Sequence, residues 1–175
     1  SEKTLRPGDP APDFELKNVD GNTVKRADFE GKHLVIIFMC NHCPYVKVKL
    51  NEIVQLQNDY EDEVVLIGIN ANDAQQYPED SYENMKLLAN QIGLRYYAID
   101  ETQEVARSFG AACTPDPFVF DQEHTLVYHG RINDAIEPDD EVTQHDLREV
   151  LEALVNDEAI QEWFVPSQGC SIKWR

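Results

Sequence analysis

The run "HLVIIFM", residues 33–39, passes without a break into "CNHCPYV", residues 40–46, and its reading decides how the chain folds. A nearly continuous apolar run of this length fits a strand buried on both faces, as in a sheet flanked by helices. Pro44 suits the first turn of a helix, where its missing N–H would be unpaired anyway. Beyond it Val46, Leu50, Ile53, Val54 and Tyr60 fall mostly at helical spacing, so one helix is expected from Pro44 to Tyr60. Cys40 and Cys43 then cap a strand-to-helix junction. A Cys-x-x-Cys pair there admits three chemistries: a redox centre, half of a zinc site, or a metal-capture motif.

Outward from this junction the same rules place the neighbours. Upstream, "FELKNVDGNTVKRADF" (residues 14–29) holds two short alternating runs around Asp20-Gly21, the signature of a hairpin. Downstream, "EVVLIGIN" (residues 63–70) is a second buried strand, and "ANDAQQYPED" (residues 71–80) is a polar loop. A helix from about Ser81 to Ile92, a strand at "RYYAI" (residues 95–99) and a short helix over 102–109 closed by Gly110 follow. "CTPDP" (residues 113–117) interrupts the chain before "FVFD" and "TLVYHGRI", which read as a hairpin turning at "DQEH". Leu147, Val150, Leu151, Leu154 and Val155 form the apolar stripe of a last helix. The tail "EWFVPSQGCSIKWR" is too aromatic for a free linker and is expected to pack on the body.

Alternating strands and helices followed by a hairpin and a final helix predict an α/β fold, a mixed central sheet with helices on both faces. The 175 residues suit one compact domain, with residues 156–175 as its C-terminal tail. Asp and Glu total 33 against 15 Lys and Arg, a formal charge of −18, which repels nucleic acid and anionic membranes; neither is an expected partner. Such an excess also repels itself unless salt screens it, so a salt-loving source and an ordinary cell are both open. No apolar run reaches the roughly 18 residues of a membrane span. The opening "SEKTLRPGDP" has no signal-peptide core, so a cytoplasmic location is expected, with export open if Ser1 follows a removed segment.

A strand leading to "CNHCP" at a helix start, "TP" before a third core strand, and a terminal helix together resemble the thioredoxin fold. The N-terminal hairpin and the insertion near residues 70–99 are similar to the TlpA-like and peroxiredoxin (AhpC/TSA, redoxin) branch of that superfamily. The resemblance covers about residues 8–155, and "GCSIKW" in the tail resembles that of a less characterised group of thioredoxin-like proteins.

Exchange of thiols and disulfides needs one thiolate and a second thiol nearby, and a pair at a helix N-terminus supplies both. On this reading Cys40 is the exposed attacking thiolate, Cys43 the more shielded resolving thiol, and His42 a modulator that stabilises the thiolate when protonated. The resemblance makes Pro115 the cis-proline, with Pro117 the weaker candidate, and makes the Thr114 backbone a docking edge for an extended substrate. It implies disulfide or dithiol proteins as substrates, an electron donor or acceptor, and no cofactor. Cys113 and Cys170 are possible auxiliary thiols; a second disulfide, an electron relay and inert packing are all open to them. No spacing selects His33, His124, His129 or His145 as ligands and no second half of a zinc site exists, so no metal is expected.

Two departures from the family pattern stand out. The stretch from Leu34 to Met39 has no buried acid, and Val46 stands where TlpA-like reductases often carry one, leaving the base that deprotonates Cys43 unassigned. Three rivals remain: a peroxiredoxin-like peroxidase, against which Ile37 stands where Thr-x-x-Cys needs threonine; a copper-binding assembly protein, for which Pro44 and His129 speak; and a binding module with a vestigial redox pair.

Overall fold

The protein is described by a computed structural model over residues 5–175; Ser1, on which the question of export turns, lies outside the described residues. At the centre β3 (His33–Phe38) is wholly buried, as its apolar run requires. It pairs in parallel with β4 (Val64–Asn70), which pairs in parallel with β5 (Tyr97–Ile99). On its other side β3 runs antiparallel to β7 (Asp116–Phe120), followed by antiparallel β8 (Leu126–Gly130). The hairpin β1 (Glu15–Asn18) and β2 (Thr23–Lys25) adds to the β5 edge, and β9 (Phe164–Val165) adds in parallel to β8. The sheet order is therefore β2-β1-β5-β4-β3-β7-β8-β9, the mixed sheet expected.

Alternation along β3 divides the core. Val35, Ile37 and Met39 face one side, with Ile53 and Leu56 of α2 (Leu50–Asp59), Met85 and Ala89 of α3 (Tyr82–Ile92), and Leu147 and Leu151 of α5 (Asp146–Val155). Leu34, Ile36 and Phe38 face the other, against α4 (Glu104–Phe109), where Phe109 makes edge contacts with Phe38 and Phe118 at ring distances of 5.2 and 5.5 Å.

The single helix expected from Pro44 is instead two, α1 (Pro44–Lys47) and α2, with the break at Val48–Lys49. Lys49 is the reason. Its side chain is buried, and its ammonium donates to Asn133 and to the Ala135 carbonyl across the molecule. That anchoring tightens the turn into a Lys49 N–H to Val46 C=O bond of 2.9 Å. Burial also holds the Lys49 pKa below its ordinary value.

The tail packs on the body, as its aromatics imply, and forms a second two-stranded sheet: β10 (Cys170–Ser171) runs antiparallel to β6 (Cys113–Thr114). Trp174 is covered by the Arg107 guanidinium at 4.3 Å from its ring.

Candidate active site

Cys40 follows the end of β3, and Cys43 is the N-cap of α1, so the strand-to-helix junction sets their spacing. Both are buried, at 1% and 0% exposure. The expectation of an exposed Cys40 is therefore corrected: the tail and the segment around Pro115 close over the pair. The Thr114–Pro115 peptide bond is cis, as the resemblance implied, and it is the only cis bond among the described residues. Thr114 reaches both cysteines, with Oγ1 3.7 Å from Cys40 Sγ and the carbonyl oxygen 3.7 Å from Cys43 Sγ.

The two thiols of the pair share one proton and lie in different surroundings. Cys43 is pulled down to about 4, first by the hydrogen bond from Cys40 and then, against the cost of burial, by Cys170 and the Val46 N–H. Cys40 is pushed up because it shares its proton with Cys43, because it is buried, and because the Asp80 carboxylate is nearby. The direction has a plain physical cause. Cys43 takes the Val46 N–H at the start of a helix, whereas Cys40, although it takes the Thr114 hydroxyl and the Cys43 N–H, lies near the Asp80 carboxylate.

A buried acid does stand near Cys40, and it is Asp80. It lies in the loop after β4, where Asn41 N–H donates to its Oδ1 at 2.7 Å, and Asn72 Nδ2 to its Oδ2 at 2.9 Å. His42 Nδ1 stands 2.7 Å from Oδ2. Asn41 is further tied by its own Nδ2 to the Glu79 carbonyl and by the Tyr97 hydroxyl, which donates to Asn41 Oδ1. Burial, then Cys40 and Asp80, raise the Tyr97 pKa, keeping it a donor. Cys40 Sγ, a His42 ring nitrogen and an Asp80 oxygen lie within 4.8 Å of one another. His42 is thus a neighbour of Cys40, held by Asp80 and stacked near Tyr77. No spacing in the chain marks Asp80, because the loop closes it onto Asn41 across 39 residues.

Both auxiliary cysteines come to the site. Cys170 Sγ lies 2.7 Å from Cys43 Sγ, beside Cys43 and not Cys40. Burial and then Cys43 raise Cys170 to about 11. Cys113 is pushed up to about 12 by burial, Asp116, Cys43 and Cys170. His129 does not join them. It pairs with Asp116 at 2.8 Å and stacks on Phe118, which removes the ligand that the copper reading required.

With this geometry in view, the likenesses are informative. The AhpC/TSA family matches residues 7–129, and the chain belongs to that family, in the redoxin branch of the thioredoxin-like oxidoreductases. It is similar to the thioredoxin-like protein YneN of Bacillus subtilis, at 21% identity over 122 residues, 70% of this chain and 69% of the relative. It is also similar to the thiol-disulfide oxidoreductase ResA of Bacillus anthracis, at 24% over 122 residues, 69% of this chain and 66% of that one.

Among solved structures, an uncharacterized conserved protein from Geobacillus kaustophilus superposes with TM-score 0.92 at 46% identity, over 99% of this chain and 95% of the other. A hypothetical protein from Sinorhizobium meliloti 1021 gives 0.93 at 35%, over 99% and 97%. These two matches take in the tail. The thioredoxin domain of a thiol-disulfide oxidoreductase from Bacteroides vulgatus, at TM-score 0.69 and 20% identity over 87% of this chain and 100% of the other, shares the fold.

Proposed function

We propose that the protein exchanges thiols and disulfides, with Cys43 forming the mixed disulfide and Cys40 resolving it. One observation carries this reading: a cysteine on a strand paired to Thr114 has its sulfur 2.7 Å from Cys43 Sγ. The thioredoxin resemblance gives that strand position to an extended substrate, so a substrate sulfur arriving there meets Cys43. The Cys43 thiolate attacks one sulfur of a substrate disulfide, the Cys43–substrate bond forms, and the other substrate sulfur leaves as a thiolate. Cys43 no longer carries charge, and the largest cause holding the proton on Cys40 is gone. That proton passes to the His42–Asp80 pair, and Cys40 attacks the Cys43 sulfur. The products are a Cys40–Cys43 disulfide and a second substrate thiolate, so two electrons have passed to the substrate. An external dithiol resets the pair, and with an oxidising partner the same steps run backwards.

The test is trapping. A variant carrying Cys40→Ser and Cys170→Ser should accumulate mixed disulfides with a disulfide-bonded peptide, seen as a mass increase lost on reduction, whereas Cys43→Ser should not. Complexes from Cys43→Ser alone would return the attack to Cys40. No complexes from either, at unchanged circular dichroism, would remove the exchange reading.

A second reading, metal capture, is favoured by the sulfur, nitrogen and oxygen donors of Cys40, His42 and Asp80, a set that suits Zn²⁺. Against it, the Asp80 oxygens already accept N–H groups from Asn41, Asn70 and Asn72. Calorimetric titration of the reduced protein with Zn²⁺, giving tight binding lost in His42→Ala, would support the metal.

A further inference from the structure

We infer that the C-terminal strand is a built-in occupant of the substrate position, and that Cys170 is a third redox thiol that takes the Cys43 disulfide over from Cys40. The inference rests on the proposed reading in one respect, that an incoming cysteine meets Cys43.

Four observations converge. The register sets Cys170 opposite Thr114 and Ser171 opposite Cys113, so the tail uses the backbone edge that the resemblance reserves for a substrate. Its approach is close enough to demand glycine: a Cβ on Gly169 would sit 2.0 Å from the Thr114 carbonyl oxygen. The strand is held beyond the cysteine as well. Ile172 N–H donates to the Ala112 carbonyl at 3.0 Å, Lys173 N–H to Asn72 Oδ1 at 2.9 Å, and Asp73 N–H to the Lys173 carbonyl at 2.8 Å. Ile172 itself is buried in the core on the α4 side of the sheet. Finally, Cys170 Sγ lies 2.7 Å from Cys43 Sγ, so the tail's own sulfur stands where the proposed reading brings a substrate sulfur. While the tail is docked, its strand already pairs with the Thr114 edge.

The step is an isomerisation. With Cys40 and Cys43 oxidised, Cys170 loses its proton and attacks the Cys43 sulfur. The Cys43–Cys170 bond forms as the Cys40–Cys43 bond breaks, and Cys40 leaves as a thiolate that takes up the proton. No electron is gained or lost, and no other reactant is consumed. The outcome is a tail locked over the Thr114 edge and a free Cys40 beneath it, so oxidised protein is closed to further substrate until Cys43–Cys170 is reduced.

Disulfide mapping tests this in the full chain. Protein oxidised with glutathione disulfide is quenched in acid, alkylated with N-ethylmaleimide and digested. The intact chain and Cys40→Ser should yield a linked Cys43–Cys170 peptide, and Cys170→Ser only Cys40–Cys43. Gly169→Ala, checked for folding by circular dichroism, should lower the linked yield about tenfold, since the added Cβ meets the Thr114 carbonyl and the strand's hydrogen bonds are lost. Complete alkylation of Cys170 in the oxidised intact chain overturns the inference, whatever Cys40→Ser gives. If Cys170 is alkylated throughout while the trapping variant still captures peptide, the inference falls and the exchange reading stands. Linked Cys43–Cys170 without capture of any peptide shows the reverse.

Discussion

Cys43 and Cys40 differ by what their sulfurs face, and that difference was not legible in the motif. Their spacing, the helix start and the cis bond at Pro115 could be read from the chain or its resemblance, because each is local. Which sulfur holds the charge depends on Asp80, from another loop, and on Cys170, 127 residues from Cys43. Removing the donor tests the assignment: Cys40→Ala should raise the midpoint of Cys43 alkylation from about 4 by about 1–2 pH units, the worth of one hydrogen bond to a charged group. An unmoved midpoint would leave Val46 N–H and Cys170 as the groups that hold the charge. The same charge links stability to pH. Since the folded pKa of Cys43 lies below its ordinary 9.0, its contribution is fully present above pH 9 and is lost as pH falls towards 4. Cys40, shifted upwards, loses its own contribution only above pH 9. In the reduced protein, the Tm advantage over Cys43→Ser should therefore shrink by several degrees between pH 8 and pH 4, as read by scanning calorimetry.

Elements long enough to show a period were legible; those of two residues were not. β3, β4, α3 and α5 each carry their pattern in the sequence, and the hairpin is marked by Asp20-Gly21, where Gly21 takes φ 87°. β6 and β10 have two residues apiece, too few for alternation, and exist because tertiary folding lays the tail on Thr114. The polar loop 71–80 was legible as a loop. Asn72 and Asp73 of the loop, with Asn70 at the end of β4, bond nearby backbone and side-chain groups and fix the approach to Asp80, which no sequence pattern announces. Directly after Asp80, Ser81 caps α3, its hydroxyl accepting from Asn84 N–H at 3.2 Å. Ser81→Ala should cost about 1 kcal/mol, a fall of roughly 2–4 °C in Tm for a chain of this size. The alkylation midpoint of Cys43 should stay where it is, because Asp80 is held from the Asn41 side. A shift in that midpoint would make the cap part of the site's support.

Across the whole molecule, the formal charge of −18 sits on a fold whose core is conventional, so electrostatics acts on stability from the surface inward. Two opposing terms respond to salt. Exposed pairs such as Arg95–Glu61 at 2.7 Å and Arg148–Asp59 at 2.9 Å weaken when screened, but each contributes only about 0–1 kcal/mol. Repulsion among the excess carboxylates weakens too, and the unpaired acids outnumber the bases that could offset them. The second term should win, and the shape of the response identifies it. Screening length falls from about 30 Å at 0.01 M to about 8 Å at 0.15 M, and only to about 3 Å at 1 M. Most of the relief should therefore come at low ionic strength, before the weaker hydration effects of molar salt enter. Melting followed from about 10 mM to 1 M KCl should show Tm rising most steeply below about 0.15 M, by roughly 2–4 °C for each kcal/mol of repulsion removed. An uncharged osmolyte at matched osmolality should not reproduce the early rise. A Tm that stays level across the low range, or falls, would mean that the surface pairs already balance the excess, and the acidic composition would then give no ground for a protein dependent on salt.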